Sequence, residues 1–296
     1  MRKYFENCCI QRLIEFSNNT VQSDILRLDR LHPIVSGNKW FKLKYYLEEA
    51  KQLRKIKIAT FGGAYSNHIV ATAYASREAG FKSIGFIRGE QSAELNPTLL
   101  KAREFGMELN FLIRSDYHDK EKVIQSFNSP ELYWIPEGGY GIKGALGAAE
   151  ILSITDTETY SHIICATGTG TMMAGLINRA KKHQQIIGIS VLKNHFGLEK
   201  EVRSLLNNEE KVPDFRILNG YHFGGYGKHP VALISFMNKT WLTEQLPTDI
   251  VYTSKLLFAV QDLIRNRYFP LNSKLLIIHS GGLQGNNSLP KGILDF

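Results

Sequence analysis

Cysteine is scarce, with three in 296 residues: Cys8 and Cys9 side by side and Cys165 inside an apolar run. Such thiols offer neither a disulfide framework nor the spaced pairs of a zinc site, so no staple or metal is expected to organise the fold. No run of about 18 apolar residues occurs, and no membrane partner is expected. The opening Met1-Arg2-Lys3-Tyr4-Phe5-Glu6-Asn7 lacks the uninterrupted apolar stretch of a signal peptide, and the expectation is a cytoplasmic protein. No linker rich in proline, serine or charge divides the chain, and no internal repeat is present. A second domain would therefore be inserted within the first. The formal net charge is +8, yet its lysines and arginines are scattered and no arginine-rich segment accompanies them. Nucleic acid is not expected as a partner, whereas a small anionic substrate or cofactor suits the balance.

What the chain does have is alternation. Ile56 to Phe61 reads as a strand running into a glycine turn and a helix that ends at Ala79-Gly80. The unit recurs with Ser83 to Ile87 and Pro97 to Phe105, Leu109 to Ile113 and Lys120 to Phe127, and Leu132 to Ile135 and Ile142 to Ile154. His162 to Ala166, Ile186 to Val191 and Leu275 to His279 add strands, and Leu198 to Leu206, Val231 to Glu244 and Ser254 to Arg265 add helices. Strand–helix alternation predicts an α/β protein, its parallel sheet covered by helices on both faces.

Five stretches carry chemistry. In Ser36-Gly37-Asn38-Lys39-Trp40-Phe41-Lys42-Leu43-Lys44 a helix is expected to start near Asn38, with Phe41, Leu43, Tyr46 and Leu47 on its buried face. A lysine in a first helical turn gains nothing from the macrodipole. Either these lysines solvate one face, or one is a buried amine acting as base or nucleophile. Thr167-Gly168-Thr169-Gly170-Thr171 follows a strand and opens a helix, a cradle for a phosphate unless it is only a tight turn. It is neither a P-loop nor a dinucleotide fingerprint, and a monophosphate fits it best. Ser66-Asn67-His68 lies at another strand end, where Ser66 is a helix cap or a site residue. Tyr252-Thr253-Ser254 is likewise a cap or a site, and Ser280-Gly281-Gly282 a turn or a site.

Together these stretches resemble the pyridoxal-phosphate enzymes of fold type II, and among them the family of 1-aminocyclopropane-1-carboxylate (ACC) deaminase and D-cysteine desulfhydrase. The resemblance runs from about Leu26 to Gly282. Ser36-Gly37-Asn38-Lys39 is similar to the element carrying the cofactor lysine, which implies Lys39 and not Lys42 in that role. Tyr65-Ser66-Asn67 is similar to a Gln-Ser-Asn element. It implies that Asn67 bonds the cofactor's phenolic oxygen and that Ser66, with His68 near it, meets the substrate carboxylate. Gly168 to Thr171 resembles the phosphate loop, and Ile135-Pro136-Glu137-Gly138-Gly139 an Ile-Pro-x-Gly-Gly stretch. Asp249-Ile250-Val251-Tyr252 resembles the Asp-Pro-Val-Tyr element with its catalytic-site tyrosine, and His279-Ser280-Gly281-Gly282 the closing element.

The resemblance implies a large domain made of residues 1–48 and 150–296, with a smaller α/β domain of residues 49–149 inserted and pyridoxal 5'-phosphate in the cleft. It also implies a homodimer acting on a small amino acid. Lys39, Ser66 and Tyr252 are the catalytic candidates; Lys39, Asn67, Thr167, Gly168, Thr169, Gly170, Thr171, Thr253 and Ser280 the cofactor-binding ones; Ser66, Asn67, His68 and Tyr252 the substrate-binding ones. Members that open the cyclopropane ring carry glutamate after the tyrosine and leucine after the late histidine, where this chain has Thr253 and Ser280. Neutral hydroxyls near the pyridine nitrogen would leave it a weaker electron sink, suited to β-elimination. D-Cysteine desulfhydration is therefore expected, with ACC deamination as the alternative. A protein that binds the cofactor or another anion without turnover stands as a third possibility, and a nucleotide-binding dehydrogenase is not expected.

Overall fold

The computed structural model describes residues 6–296; Met1 to Phe5, part of the segment lacking signal-peptide character, lie outside the described residues. The elements run β1 (Ile10–Arg12), β2 (Val21–Arg27), α1 (Asn38–Gln52), β3 (Lys57–Gly63), α2 (Asn67–Glu78), β4 (Lys82–Arg88), α3 (Pro97–Glu104), β5 (Met107–Leu112), α4 (Arg114–His118), α5 (Lys120–Phe127), β6 (Leu132–Ile135) and α6 (Ile142–Ala149). They continue with β7 (His162–Thr167), α7 (Thr171–Arg179), β8 (Gln185–Ser190), α8 (Leu198–Arg203), β9 (Phe215–Leu218), α9 (Val231–Glu244), α10 (Thr253–Arg265) and β10 (Ser273–His279).

Two sheets result. One has the order β1-β2-β10-β7-β8-β9 and the other β5-β4-β3-β6. Every pairing is parallel except β1 with β2. The centre of the larger sheet explains its sequence. Leu275 and Ile277 of β10 join Leu256, Val260 and Leu263 of α10 in one core, while Leu276 and Ile278 join Ala145, Ala148, Met173 and Leu176 in another. Both faces are covered, so the strand reads as an unbroken apolar run with no alternation. In the smaller sheet Ile84 and Phe86 pack with Phe61 and Tyr117 on one side, and Ile87 packs with Ile69, Leu99 and Met107 on the other.

Helix α1 belongs to both cores. Phe41 packs with Ala145, Ala148 and Ile151, whereas Leu43, Tyr46, Leu47 and Ala50 pack with Ile58 and Ile135. The four apolar positions expected to share a face are all buried, but they divide between two neighbours. The expected division after residue 48 falls inside this helix, which runs unbroken to Gln52. Strands β1 and β9 and helix α4 were not foreseen. Ile10–Arg12 and Phe215–Leu218 are short and incompletely buried, so neither carries the full apolar run that marks the central strands.

Candidate functional site

A cavity of about 450 Å³ lies where the C-terminal ends of β3, β4 and β7 meet the starts of α1, α2 and α7. Strand ends are where parallel α/β sheets gather polar groups, because the backbone there leaves the ladder and helix N-termini point at the gap. Lys39, Ser66, Asn67, His68, Thr167, Gly168, Thr169, Gly170, Tyr252 and Ser280 all line it. Thr171 and Thr253 do not.

The three lysines in the first two turns of α1 separate. Lys44 makes an ion pair with Glu150 at 2.6 Å, away from the cavity. Lys39 and Lys42 line the cavity instead. Lys39 Nζ donates to Asn38 Oδ1 at 3.1 Å and, among the described residues, has no carboxylate within ion-pairing distance. Burial pulls its amine down to about 8, with Asp249 opposing the shift. Lys42 is 3 % exposed. Burial, and then the charge of Lys39, hold its amine well below the ordinary lysine value. Desolvation disfavours an ammonium, so two such neighbours ask for an anion between them.

Three distant segments are joined at residues 280–282. Asn38 N donates to Ser280 O at 2.9 Å, Gly282 N donates to Ser36 Oγ at 3.0 Å, and Asn67 Nδ2 donates to Gly282 O at 2.7 Å. Gly37 has φ +72°, and a Cβ there would lie 1.6 Å from Ser280 O, so only glycine fits. His279 anchors the junction: its Nε2 donates to Pro247 O at 2.8 Å and its Nδ1 accepts from Gly281 N at 3.2 Å. Asn67 Oδ1 is buried with no hydrogen-bond partner.

Ser66 combines both roles open to it. Its Oγ accepts from His68 N at 3.2 Å as the cap of α2, and it lines the cavity. His68 is 2 % exposed. Burial, with Lys39 and Lys42 nearby, holds its imidazole well below the usual histidine value, and it is neutral. Thr60 Oγ1 donates to Ile135 O, so it accepts from His68 Nε2 at 2.8 Å, leaving Nδ1 as a buried acceptor without a partner.

The glycine loop meets the cavity through its backbone more than its hydroxyls. Thr167 Oγ1 turns into the core toward Met173 Sδ at 3.7 Å, and Thr171 Oγ1 lies 3.2 Å from Thr169 Oγ1. What faces the gap is the N-terminus of α7, entered through Gly170 at φ +73°. Thr253 departs from expectation for a clear reason. Its hydroxyl donates to Asp249 Oδ1 and accepts from Asp249 N, both at 2.7 Å, as part of the cap of α10.

The sequence alone assigns Asp249 no role. It is buried, and its carboxylate accepts from the N–H groups of Val251, Tyr252 and Thr253 at 2.8–3.0 Å. Asp249→Ala is expected to lower the unfolding free energy by about 3 kcal/mol or more, because three N–H groups and a hydroxyl lose a buried acceptor. Urea denaturation of the variant measures this, and a loss below about 1 kcal/mol would mean that water replaces the carboxylate.

Tyr252 and Tyr226 close the cavity, their rings edge to face at 6.2 Å. Burial, then Tyr226 and Asp249, hold the Tyr252 phenol well above its ordinary value. Tyr226 was missed by sequence reasoning, and the signal was present in Gly224-Gly225-Tyr226-Gly227, an aromatic held in a glycine turn. Lys255 secures that turn: its buried Nζ donates to Gly225 O at 2.7 Å, and burial draws its amine down to about 8. Among the described residues, no group of three or more His, Cys, Asp or Glu could hold a metal, and no helix is long and apolar enough to cross a membrane.

The site thus presents an uncharged-tending amine, an unpartnered asparagine oxygen and an anion cradle beside a second buried amine, which together suit a phosphorylated carbonyl compound. Known proteins agree. The model of the family described as pyridoxal-phosphate dependent enzyme matches residues 10–281. A Thermotoga maritima protein provisionally named a 1-aminocyclopropane-1-carboxylate deaminase is 29% identical over 88% of each chain. The 1-aminocyclopropane-1-carboxylate deaminase of Bradyrhizobium sp. (strain ORS 278) is 26% identical over 86% of this chain and 84% of its own. A crystal structure of an ACC deaminase homologue superposes with a TM-score of 0.80 and 26% identity, covering 95% of this chain and 90% of the other. With a family match across nearly its whole length, this chain belongs to the pyridoxal-phosphate dependent enzymes, with the fold type II architecture and similarity to ACC deaminases, and its cofactor is pyridoxal phosphate.

Proposed function

We propose that the protein is a lyase that eliminates the β-substituent of a small amino acid, with D-cysteine giving pyruvate, ammonia and sulfide. The observation that carries this is Lys39: an amine drawn down to about 8 despite Asp249, in no ion pair among the described residues, sharing one cavity with a buried phenol. Such a lysine is a nucleophile and proton carrier at neutral pH.

Pyridoxal phosphate supplies an electron sink when bound. Around it, Lys42 and the N–H groups at the start of α7 would hold the phosphate, and the second amide hydrogen of Asn67 would reach the ring oxygen. The hydroxyl hydrogen of Ser66 and the N-terminus of α2 would receive the substrate carboxylate. Lys39 Nζ takes the α-proton as the β-substituent leaves. The raised phenol of Tyr252 stays protonated, so it acts as an acid, delivering a proton to the departing sulfur. A homodimer in the cytoplasm belongs to the same proposal.

Ring opening of ACC is the second reading, favoured by the names of the relatives and the structural neighbour. Against it stands the absence of a carboxylate where that chemistry has glutamate: Thr253 occupies the position and spends its hydroxyl on Asp249. The test is to assay cofactor-loaded protein with D-cysteine, L-cysteine and ACC side by side. Sulfide and pyruvate from D-cysteine alone are expected, whereas 2-oxobutanoate from ACC would replace the first reading with the second.

A further inference from the structure

Three cationic side chains line the cavity, Lys39, Lys42 and Arg88, against a single carboxylate, Glu137. Glu137 is already occupied by the ammonium of Lys120. Lys39 and Lys42 have uses in the proposed function, on which this inference rests. Arg88 has none: its side chain is exposed at the edge of the cavity, it makes no ion pair among the described residues, and the face of the Tyr117 ring lies 5.8 Å from the guanidinium carbon.

The position of Arg88 is built by the sheet. It is the last residue of β4 and pairs in register with Gly63, the last residue of β3. Gly63 has no side chain, and Arg88 Nη2 lies 3.6 Å from where a Cβ would be. The guanidinium thereby lies over the turn that leads to Ser66, with buried Tyr117 supporting it from the other side. A planar, permanently charged fork beside the substrate loop matches a carboxylate or sulfonate. The proposed function places the substrate's α-carboxylate at Ser66 and the start of α2, which leaves the arginine open to a further acid.

We propose that Arg88 receives a second acidic group, and that the natural substrate is an amino acid whose side chain carries one. A substrate of this class pairs with the Arg88 guanidinium, whereas a monocarboxylate such as D-cysteine leaves it to water.

Calorimetric titration of the cofactor-loaded protein with D- and L-aspartate and with the corresponding asparagines tests this, since each pair differs only in charge. In the wild-type protein one enantiomer of aspartate is expected to bind about tenfold tighter than its amide. In Arg88→Gln the ratio of the two affinities should fall toward one, and Arg88→Lys should retain part of it. A ratio of one in the wild-type protein overturns the inference. So does a ratio that survives in Arg88→Gln, as it would if the arginine held the α-carboxylate or merely supported the turn. Absence of the bound cofactor's visible absorbance in the same wild-type sample defeats the proposed function along with it; its presence with no aspartate preference defeats this inference alone.

Discussion

Lys39→Ala is expected to lower turnover by about 10⁴-fold or more, in the range seen when a covalent catalyst's nucleophile is removed. It should also abolish the visible absorbance of bound cofactor while the fold survives, because alanine removes a buried amine whose desolvation opposes folding. An absorbance scan and a rate measurement on one sample check both. An unchanged band would transfer the role to Lys42, the other amine in the cavity. The pH dependence has a definite sign. With its amine drawn down to about 8, Lys39 has about a tenth of its population neutral at pH 7, against about 0.03 % for an ordinary lysine. The neutral form is the nucleophile, so capture of pyridoxal phosphate by the cofactor-free protein should quicken as pH rises and level off above about 8. A rate that keeps climbing toward 10 would mean that burial does not depress this amine.

Tyr252→Phe should bind cofactor normally and lose about 10²-fold in kcat. Burial and the neighbouring Tyr226 and Asp249 keep this phenol protonated well beyond its ordinary value, so it serves as an acid. Any loss of wild-type activity on the alkaline side below pH 10 therefore belongs to another group. Steady-state rates across pH for both proteins decide it, and full activity in the variant would reduce Tyr252 to a packing residue against the glycine loop.

Much of the fold was legible because the central strands are covered on both faces. Leu275 to Ile278 and Ile163 to Cys165 are apolar without interruption, and each is followed by a turn rich in glycine or serine. Ile10–Arg12 was illegible for the opposite reason: three half-exposed residues pair only with β2, and only in context do they become a strand. Lys39, Ser66, Asn67 and Tyr252 were singled out through the motifs around them, and all four line the cavity. Arg88 and Tyr226 were not, because a charged residue ending a strand and an aromatic in a surface turn look the same whether or not a cavity lies beyond them. Thr253 failed as a cavity residue because its sequence position does not reveal that Asp249, four residues earlier, claims its hydroxyl. The lysines on α1 show the limit most plainly. Three lie within six positions, and only the tertiary partner Glu150 separates the surface one from the two in the cavity.

β10 sits between β2 and β7 although it is the last strand in the chain. It also delivers Ser280 to Gly282, which tie Ser36 to Asn67. During synthesis, β2 must therefore wait for more than 240 later residues before its parallel neighbour exists, as the pairing of Ser273 with Val21 shows. Closing so long a loop is slow compared with local pairing, whereas the β3–β6 sheet can form as soon as its own strands emerge. The nascent chain should thus pass through a stage with one sheet complete and the other open at its middle. Until β10 arrives it has two half-built walls and no pocket, and the amine of Lys39 remains an ordinary, solvated lysine.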